Sequence, residues 1–381
     1  MKTFRCHCGN ILHFENSQCF FCNRMVGYLP EEKQLSALEP SADGNWLALF
    51  NNKPYRHCKN SSDYNVCNWL VPAHDDHVLC LSCRLNHIIP NLNENQNITL
   101  WYRVEQAKRR LLYTLYSLDL PVVSREKDSC KGMGFEFLQD EVTLDEFSNE
   151  LTIRQSIATG HNSGMITINL LEAEHGPRLE MRDKMNERYR TLLGHFRHES
   201  GHYYWDCLIN NTDKIDSFRE LFGDERLDYQ QALRTYYEQG PPSFWQDIWI
   251  SAYASTHAWE DWAETWAHYL HMVDTVETAH DFGFRIHGHD VSAPAIDGQM
   301  TNGYITPASF DDLFEDWCRL SVALNALNRS MGMDDAYPFV ISSTSLNKLR
   351  YVHKIVTEIS HQSLSACHST QIAATAHCNT D

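Results

Sequence analysis

The sequence is poor in positive charge. Its 381 residues hold 32 Lys and Arg against 50 Asp and Glu, a formal net charge of −18. Phosphate-binding surfaces draw their affinity from clustered basic side chains, so no nucleic-acid partner is expected. The same imbalance disfavours anionic membranes. Long apolar runs are also missing, and none approaches the ~18–20 residues that span a bilayer, so no membrane partner is expected. The opening stretch MKTFRCHCGN has no hydrophobic segment. No secretory signal is expected, and the cytoplasm is the expected compartment. Apolar residues still make up 43% of the chain. That supports a sizeable core, with room for one large and one small domain.

Cysteine is plentiful but unevenly placed. Cys6, Cys8, Cys19 and Cys22 form one set, and Cys58, Cys67, Cys80 and Cys83 a second. In a reducing compartment such density points to metal rather than disulfides. A C-x-x-C turn aims two sulfurs at one point, and two cysteine pairs complete a tetrahedral zinc shell. Sequential pairing is the expected arrangement, and a crossed one would use the same residues. Cys6 and Cys8 are spaced more tightly than usual, so His7 or His13 could replace a sulfur. ILHF and the pair Phe20-Phe21 fit short hairpins between the knuckles. Few other apolar residues accompany the cysteines, so zinc is expected to supply much of the folding energy. The polar, turn-rich NLNENQN after Pro90 sets a domain boundary near residue 95.

Beyond it, Leu100, Val104, Ala107, Leu111, Leu115 and Leu118 recur at helical spacing, with Thr99 to cap the start and Pro121 after the end. GFEFLQD at 134–140 alternates as a strand does, and HNSGMITINL at 161–170 reads as a turn entering a strand. From Pro177 a helical pattern runs through Met185, Tyr189, Leu192, Leu193 and Phe196. It carries His198-Glu199-Ser200-Gly201-His202, the pattern H-E-x-x-H. Residues four apart share a helix face, so both imidazoles can meet one metal. Glu199 is then placed to reach a water at that metal. Ser200 and Gly201 are small enough for neighbouring structure to approach closely. His195 and Arg197 flank the motif in supporting roles.

A catalytic zinc needs a third protein ligand. The metzincin scheme fails, because YYWDCLINN after His202 has no histidine. A gluzincin scheme puts a glutamate on a later helix. WEDWAETWAHYLH at 259–271 is such a helix by its aromatic spacing, and Glu260 and Glu264 share one face of it. Carboxylates on so apolar a helix are costly unless compensated, and a zinc ion with its histidines would compensate both.

Together, the two cysteine sets, CNWLVPA at 67–73, HFRHESGH at 195–202 and WEDWAETWAHYLH resemble the gluzincins. The resemblance is to their zinc-binding metallopeptidase family with an N-terminal zinc ribbon, and it covers residues 1–360. It implies an α+β fold: a zinc-ribbon domain at 1–95 and a zincin-like metallopeptidase domain at 96–362. Residues 363–381, small and polar, are expected as a flexible tail. Matched residue by residue, Glu260 becomes the third ligand and Glu264 the partner of a zinc histidine. Glu264 as ligand, or less readily Asp261, stays open. Some gluzincins carry a tyrosine at the offset of Tyr253 that bonds the developing oxyanion, and His257 competes for that role.

The resemblance thus implies hydrolysis of peptide bonds with Glu199 as general base. Three zinc ions are expected, one catalytic and two structural. The partner is a protein or peptide substrate, which the strand near 164–170 would pair with as an edge. The rivals are a non-catalytic protein-binding scaffold and an amidase for a non-protein amide.

Overall fold

Strand pairing begins around Cys6 and Cys8, where β1 (Phe4–Arg5) and β2 (Ile11–Leu12) form a short antiparallel hairpin on either side of them. The computed structural model describes residues 1–94, 96–144, 151–155, 157–174, 191–286, 288–292, 299–301, 304–306 and 309–376. The helical pattern expected from Pro177 through Met185 and Tyr189 lies outside them. The chain forms two compact units, Met1–Tyr113 with Val123–Cys207, and Thr114–Val122 with Leu208–Asp381.

In the first unit, a five-stranded antiparallel meander follows the hairpin. Its strands are β3 (Val26–Leu29), β4 (Gln34–Pro40), β5 (Trp46–Ala48), β6 (Lys53–His57) and β7 (Leu70–Pro72), in that order across the sheet. Leu29, Leu38, Ala48, Tyr55 and Leu70 pack into one buried cluster under Trp46. Phe4, Phe14, Tyr28, Trp69 and Tyr113 form a second, edge-to-face aromatic group. The expectation that few apolar residues accompany the cysteines is therefore corrected, because the strands supply the region with an apolar core. Phe20 and Phe21 sit in the turn between Cys19 and Cys22, at the tip of a short hairpin closed by the antiparallel Gln18–Met25 bridge, and are exposed, at 82% and 76%.

A second, mixed sheet carries the histidine helix. Its strands are β8 (Asn86–Ile88), β9 (Gly134–Leu138), β12 (Gly160–Asn162) and β13 (Met165–Asn169), while β10 (Glu141–Leu144) and β11 (Leu151–Gln155) pair separately. The order β12-β13-β9-β8 makes β13 an interior strand, parallel to β9 and antiparallel to β12. The expected edge strand at 164–170 is thus paired on both sides, and the edge is β12. Ser163 and Gly164 both have positive φ, 48° and 87°, the two-residue turn that matches strand twist. Gly164 also allows a close approach, since a Cβ there would lie 2.4 Å from the Gly132 carbonyl oxygen. Two helices belong with these strands. One is the short α1 (Lys59–Tyr64). The other is α2 (Asn97–Ser117), which buries Trp101, Val104, Leu111 and Leu112 along one face.

Helix α3 (Leu192–Leu208) bears the H-E-x-x-H pattern. Phe196 fixes it to the sheet, with its ring 5.8 Å from Phe135 and 6.4 Å from Phe137. The strand residues thereby set the rotation of the helix and the direction in which its histidines point.

The second unit is mainly helical: α4 (Ile215–Phe222), α5 (Tyr229–Gln239), α6 (Ala258–Asp281), α7 (Phe310–Ser330) and α8 (Ser343–Ala376). Its axis is α6, whose Trp262, Trp266, Tyr269 and Val273 are fully buried. Trp262 stacks on Trp266 and meets Phe218 and Phe222 of α4 and Tyr351 of α8. The backbone of α8 is helical to Ala376, so residues 363–376, expected as tail, continue that helix. Among the described residues, no helix is long and apolar enough to cross a membrane.

Candidate metal centres

The eight N-terminal cysteines gather in the two sequential sets, Cys6, Cys8, Cys19 and Cys22, and Cys58, Cys67, Cys80 and Cys83. Neither His7 nor His13 takes the place of a sulfur. The pairs Cys6–Cys22, Cys8–Cys19 and Cys67–Cys80 have sulfurs 3.6, 3.7 and 3.6 Å apart. A disulfide would need ~2.05 Å. A tetrahedron with zinc–sulfur bonds of about 2.3 Å has edges of about 3.8 Å. The sulfurs therefore fit a zinc shell and not a cross-link. In the second set, backbone N–H groups of Trp69, Cys80 and Cys83 donate to the sulfurs of Cys67, Cys58 and Cys80 at 3.4, 3.4 and 3.5 Å. Such donors favour the thiolate form that a metal requires. All four sulfur residues of this set are buried, whereas Cys8 and Cys22 of the first are half-exposed.

On α3, the Nε2 atoms of His198 and His202 lie 3.2 Å apart, with ring planes at 82°. Zinc–nitrogen bonds of about 2.0–2.1 Å set two imidazole nitrogens about 3.3 Å apart at the tetrahedral angle. The pair thus has the spacing of two ligands of one ion. Glu199, between them in sequence, is buried, as are Ser200 and Gly201.

Two groups steady this helix from its own unit. His195 Nδ1 lies 3.5 Å from Glu172 Oε2, which gives His195 a structural role. His161, on β12, stacks 6.3 Å from His202 at 19°. The Gly164 N–H donates to His161 Nε2 over 2.9 Å. Burial first, and then His202, push the His161 pKa down to about 3, so its ring is neutral at working pH. No sequence pattern pointed to His161; the turn at Ser163-Gly164 was the one signal near it.

Helix α6 carries the acids. His257 caps its start: its Nδ1 accepts from the Trp259 N–H at 3.1 Å, and its Nε2 lies 3.1 Å from the Leu227 carbonyl oxygen. Both ring nitrogens serve the scaffold, which corrects the expectation of His257 as a competing oxyanion donor. Glu260 is 1% exposed, and its Oε1 accepts from Tyr229 Oη over 2.6 Å. Glu264, one turn on, accepts from Ser251 Oγ over 2.6 Å. Asp261 points elsewhere and pairs with buried Lys348 Nζ at 2.5 Å. Burial raises the Asp261 pKa to about 7 against the pull of Lys348. That engagement argues against Asp261 as a ligand. Tyr253 starts a short 3-10 turn and is half-buried, its ring 5.8 Å from Tyr236. Tyr229, Ser251 and Lys348, which hold the three acids, were not found from sequence.

Tetrahedral thiolate sets ahead of a helix-borne histidine pair define a zinc-binding protein with an N-terminal ribbon. The chain belongs to the family described as "Putative zinc-binding metallo-peptidase", whose model matches residues 97–355, and a zinc-ribbon domain model matches residues 3–94. Similar proteins occur in Mycobacterium bovis and in two strains of Mycobacterium tuberculosis, CDC 1551 and H37Rv. Each is named as an uncharacterized protein, and each is 39% identical over 361 residues, or 94% of this chain and 96% of its own. No solved structure matches the chain.

Proposed function

We propose that the protein is a gluzincin-type zinc peptidase in which His198, His202 and Glu260 hold the catalytic ion. The observation that carries this reading is the 3.2 Å spacing of the two Nε2 atoms on a helix whose intervening glutamate is buried. Two imidazoles and a carboxylate are a donor set of catalytic zinc, which leaves a position open for water. When bound, zinc supplies a Lewis acid and lowers the pKa of a bound water to about 7.

The chain's own residues do the rest. Glu199 accepts a proton from the attacking water and delivers it to the leaving amine. Tyr253 donates to the oxyanion that develops on the substrate carbonyl. Tyr229 orients Glu260, and Ser251 orients Glu264, which acts as the carboxylate partner of a ligand histidine.

A peptide substrate is favoured by the sheet. Its edge strand β12 can accept an extended chain by backbone hydrogen bonds. His161 on that strand stacks on His202, so a peptide added there would run beside the metal histidines. The compartment is read as the cytoplasm, because eight thiols held at metal-ligand spacing rather than bonded in pairs suit reducing conditions.

The test is to incubate the zinc-loaded protein, and its Glu199→Gln variant, with a cell extract and map new peptide termini. Termini made by the unaltered protein and lost in the variant support the reading. Termini made equally by both remove Glu199 as the base. The rival scaffold expects no new termini from either.

A further inference from the structure

Two consecutive basic residues of α2 are almost wholly buried, Lys108 at 0% and Arg109 at 2% exposure. Ordinary cores exclude such groups unless they are paired. Arg109 Nη1 donates to the Val66 carbonyl over 2.6 Å, and Lys108 Nζ donates to the Ser82 carbonyl over 3.0 Å. Val66 immediately precedes Cys67, and Ser82 immediately precedes Cys83. Each cation therefore grips the peptide unit that leads into a sulfur ligand of the second set.

Glu105, also fully buried, lies between them. Its carboxylate accepts from Lys108 through Oε1 at 3.1 Å and lies 3.9 Å from Arg109. It also accepts from Asn86 Nδ2 and Trp101 Nε1. One carboxylate against two cations leaves a net charge of about +1 in a dry region. Four thiolates around a divalent ion carry a net charge of about −2. Burying that charge without a counter-charge is costly. Burial alone works against the Arg109 cation, yet Cys67, Glu105, Cys83 and Cys80 together raise its pKa.

We propose that Lys108 and Arg109 are positioning and charge-balancing residues of the Cys58, Cys67, Cys80 and Cys83 metal site. These residues lie in the stretch matched by the metallopeptidase family, while their cysteines lie in the stretch matched by the zinc ribbon. The second ribbon site is therefore completed by a helix from outside the ribbon. Helix α2 meets the loop of the first set through Arg110, whose Nε donates to Glu15 Oε1 over 2.6 Å, while the bonds of Lys108 and Arg109 go to the second set, so the first site serves as an internal control for those two residues. The proposal rests on the ribbon holding zinc.

The test uses the zinc-loaded full-length protein and thiol alkylation during chelator challenge, with labelled cysteines located by mass spectrometry. In Arg109→Met and Lys108→Met, both long apolar replacements, labelling of Cys58, Cys67, Cys80 and Cys83 should speed up ~10–100-fold, the usual effect of losing a ligand's supporting partner. Cys6, Cys8, Cys19 and Cys22 should keep their rate. Arg109→Lys, which keeps the charge, should recover part of the protection, and it carries the test if the methionine variants do not fold. Unchanged labelling, or equal acceleration of both sets in Arg109→Lys, overturns the proposal. If all eight thiols of the unaltered zinc-loaded protein react freely before chelator is added, the ribbon does not hold zinc, and the proposal falls with it.

Discussion

Tyr229 Oη donates to Glu260 Oε1 over 2.6 Å, from the first residue of α5 to the first turn of α6. This bond fixes the rotation of a carboxylate that has almost no contact with solvent. A ligand held in one rotamer loses little entropy when it takes up a metal. Tyr229→Phe is therefore expected to weaken the exchangeable zinc ~10–100-fold and to leave the thiolate-bound zinc unaffected. Competition with a colorimetric chelator measures both.

The order of the two glutamates can be tested in the same way. Glu260→Ala should lose the exchangeable ion outright. Glu264→Ala should retain it with ~10–100-fold weaker binding, because it removes only a supporting partner. A reversed ranking would make Glu264 the ligand.

Metal content gives an independent check. Three zinc ions per chain are expected, two released slowly from thiolates and one removed by mild chelation. Elemental analysis of fully loaded protein that returned only two would leave no ion for the histidine pair.

The general-base role proposed for Glu199 has a size. Glu199→Gln should fold, keep its zinc and lose ~10²–10⁴-fold in turnover. Tyr253→Phe should lose about 10²–10³-fold if it supplies one oxyanion donor. Initial rates on a peptide identified from the mapped termini decide both values.

Acid stability has a named contributor. His353 on α8 is buried, and its Nδ1 lies 3.1 Å from Tyr269 Oη. Burial lowers its pKa to about 4 in the folded protein, below the ~6.5 of an exposed histidine. The unfolded chain therefore takes up this proton first as pH falls. Its contribution is complete above about pH 6.5 and is lost as pH falls through that value toward 4, with a ceiling of ~3 kcal/mol. His353→Gln, which does not titrate, should show a shallower fall in denaturant midpoint between pH 7 and 5 than the unaltered protein.

Local chemistry explains what could be read from sequence. The cysteine sets, the H-E-x-x-H helix and the strands at 134–138 and 165–169 are set by residues close together in the chain. Periodicity and spacing expose such features. What could not be read depends on distant partners. Lys348 meets Asp261 from 87 residues away, and no pattern around either residue announces the other. Sheet order is hidden for the same reason: the alternation in β13 looks identical whether one neighbour or two pair with it. His257 was ambiguous because a histidine cap and a histidine donor look alike in sequence. The ribbon core was underestimated because its apolar residues are spread over five short strands.

The unequal burial of the two thiolate sets gives the ribbon a built-in sequence of failure. Cys8 and Cys22 meet solvent, while the sulfurs of Cys58, Cys80 and Cys83 meet none. Oxidants and competing chelators reach the first site through its own surface, but they reach the second only when the surrounding fold opens. An ion at the first site would thus turn over on the clock of the solution, and one at the second on the clock of unfolding.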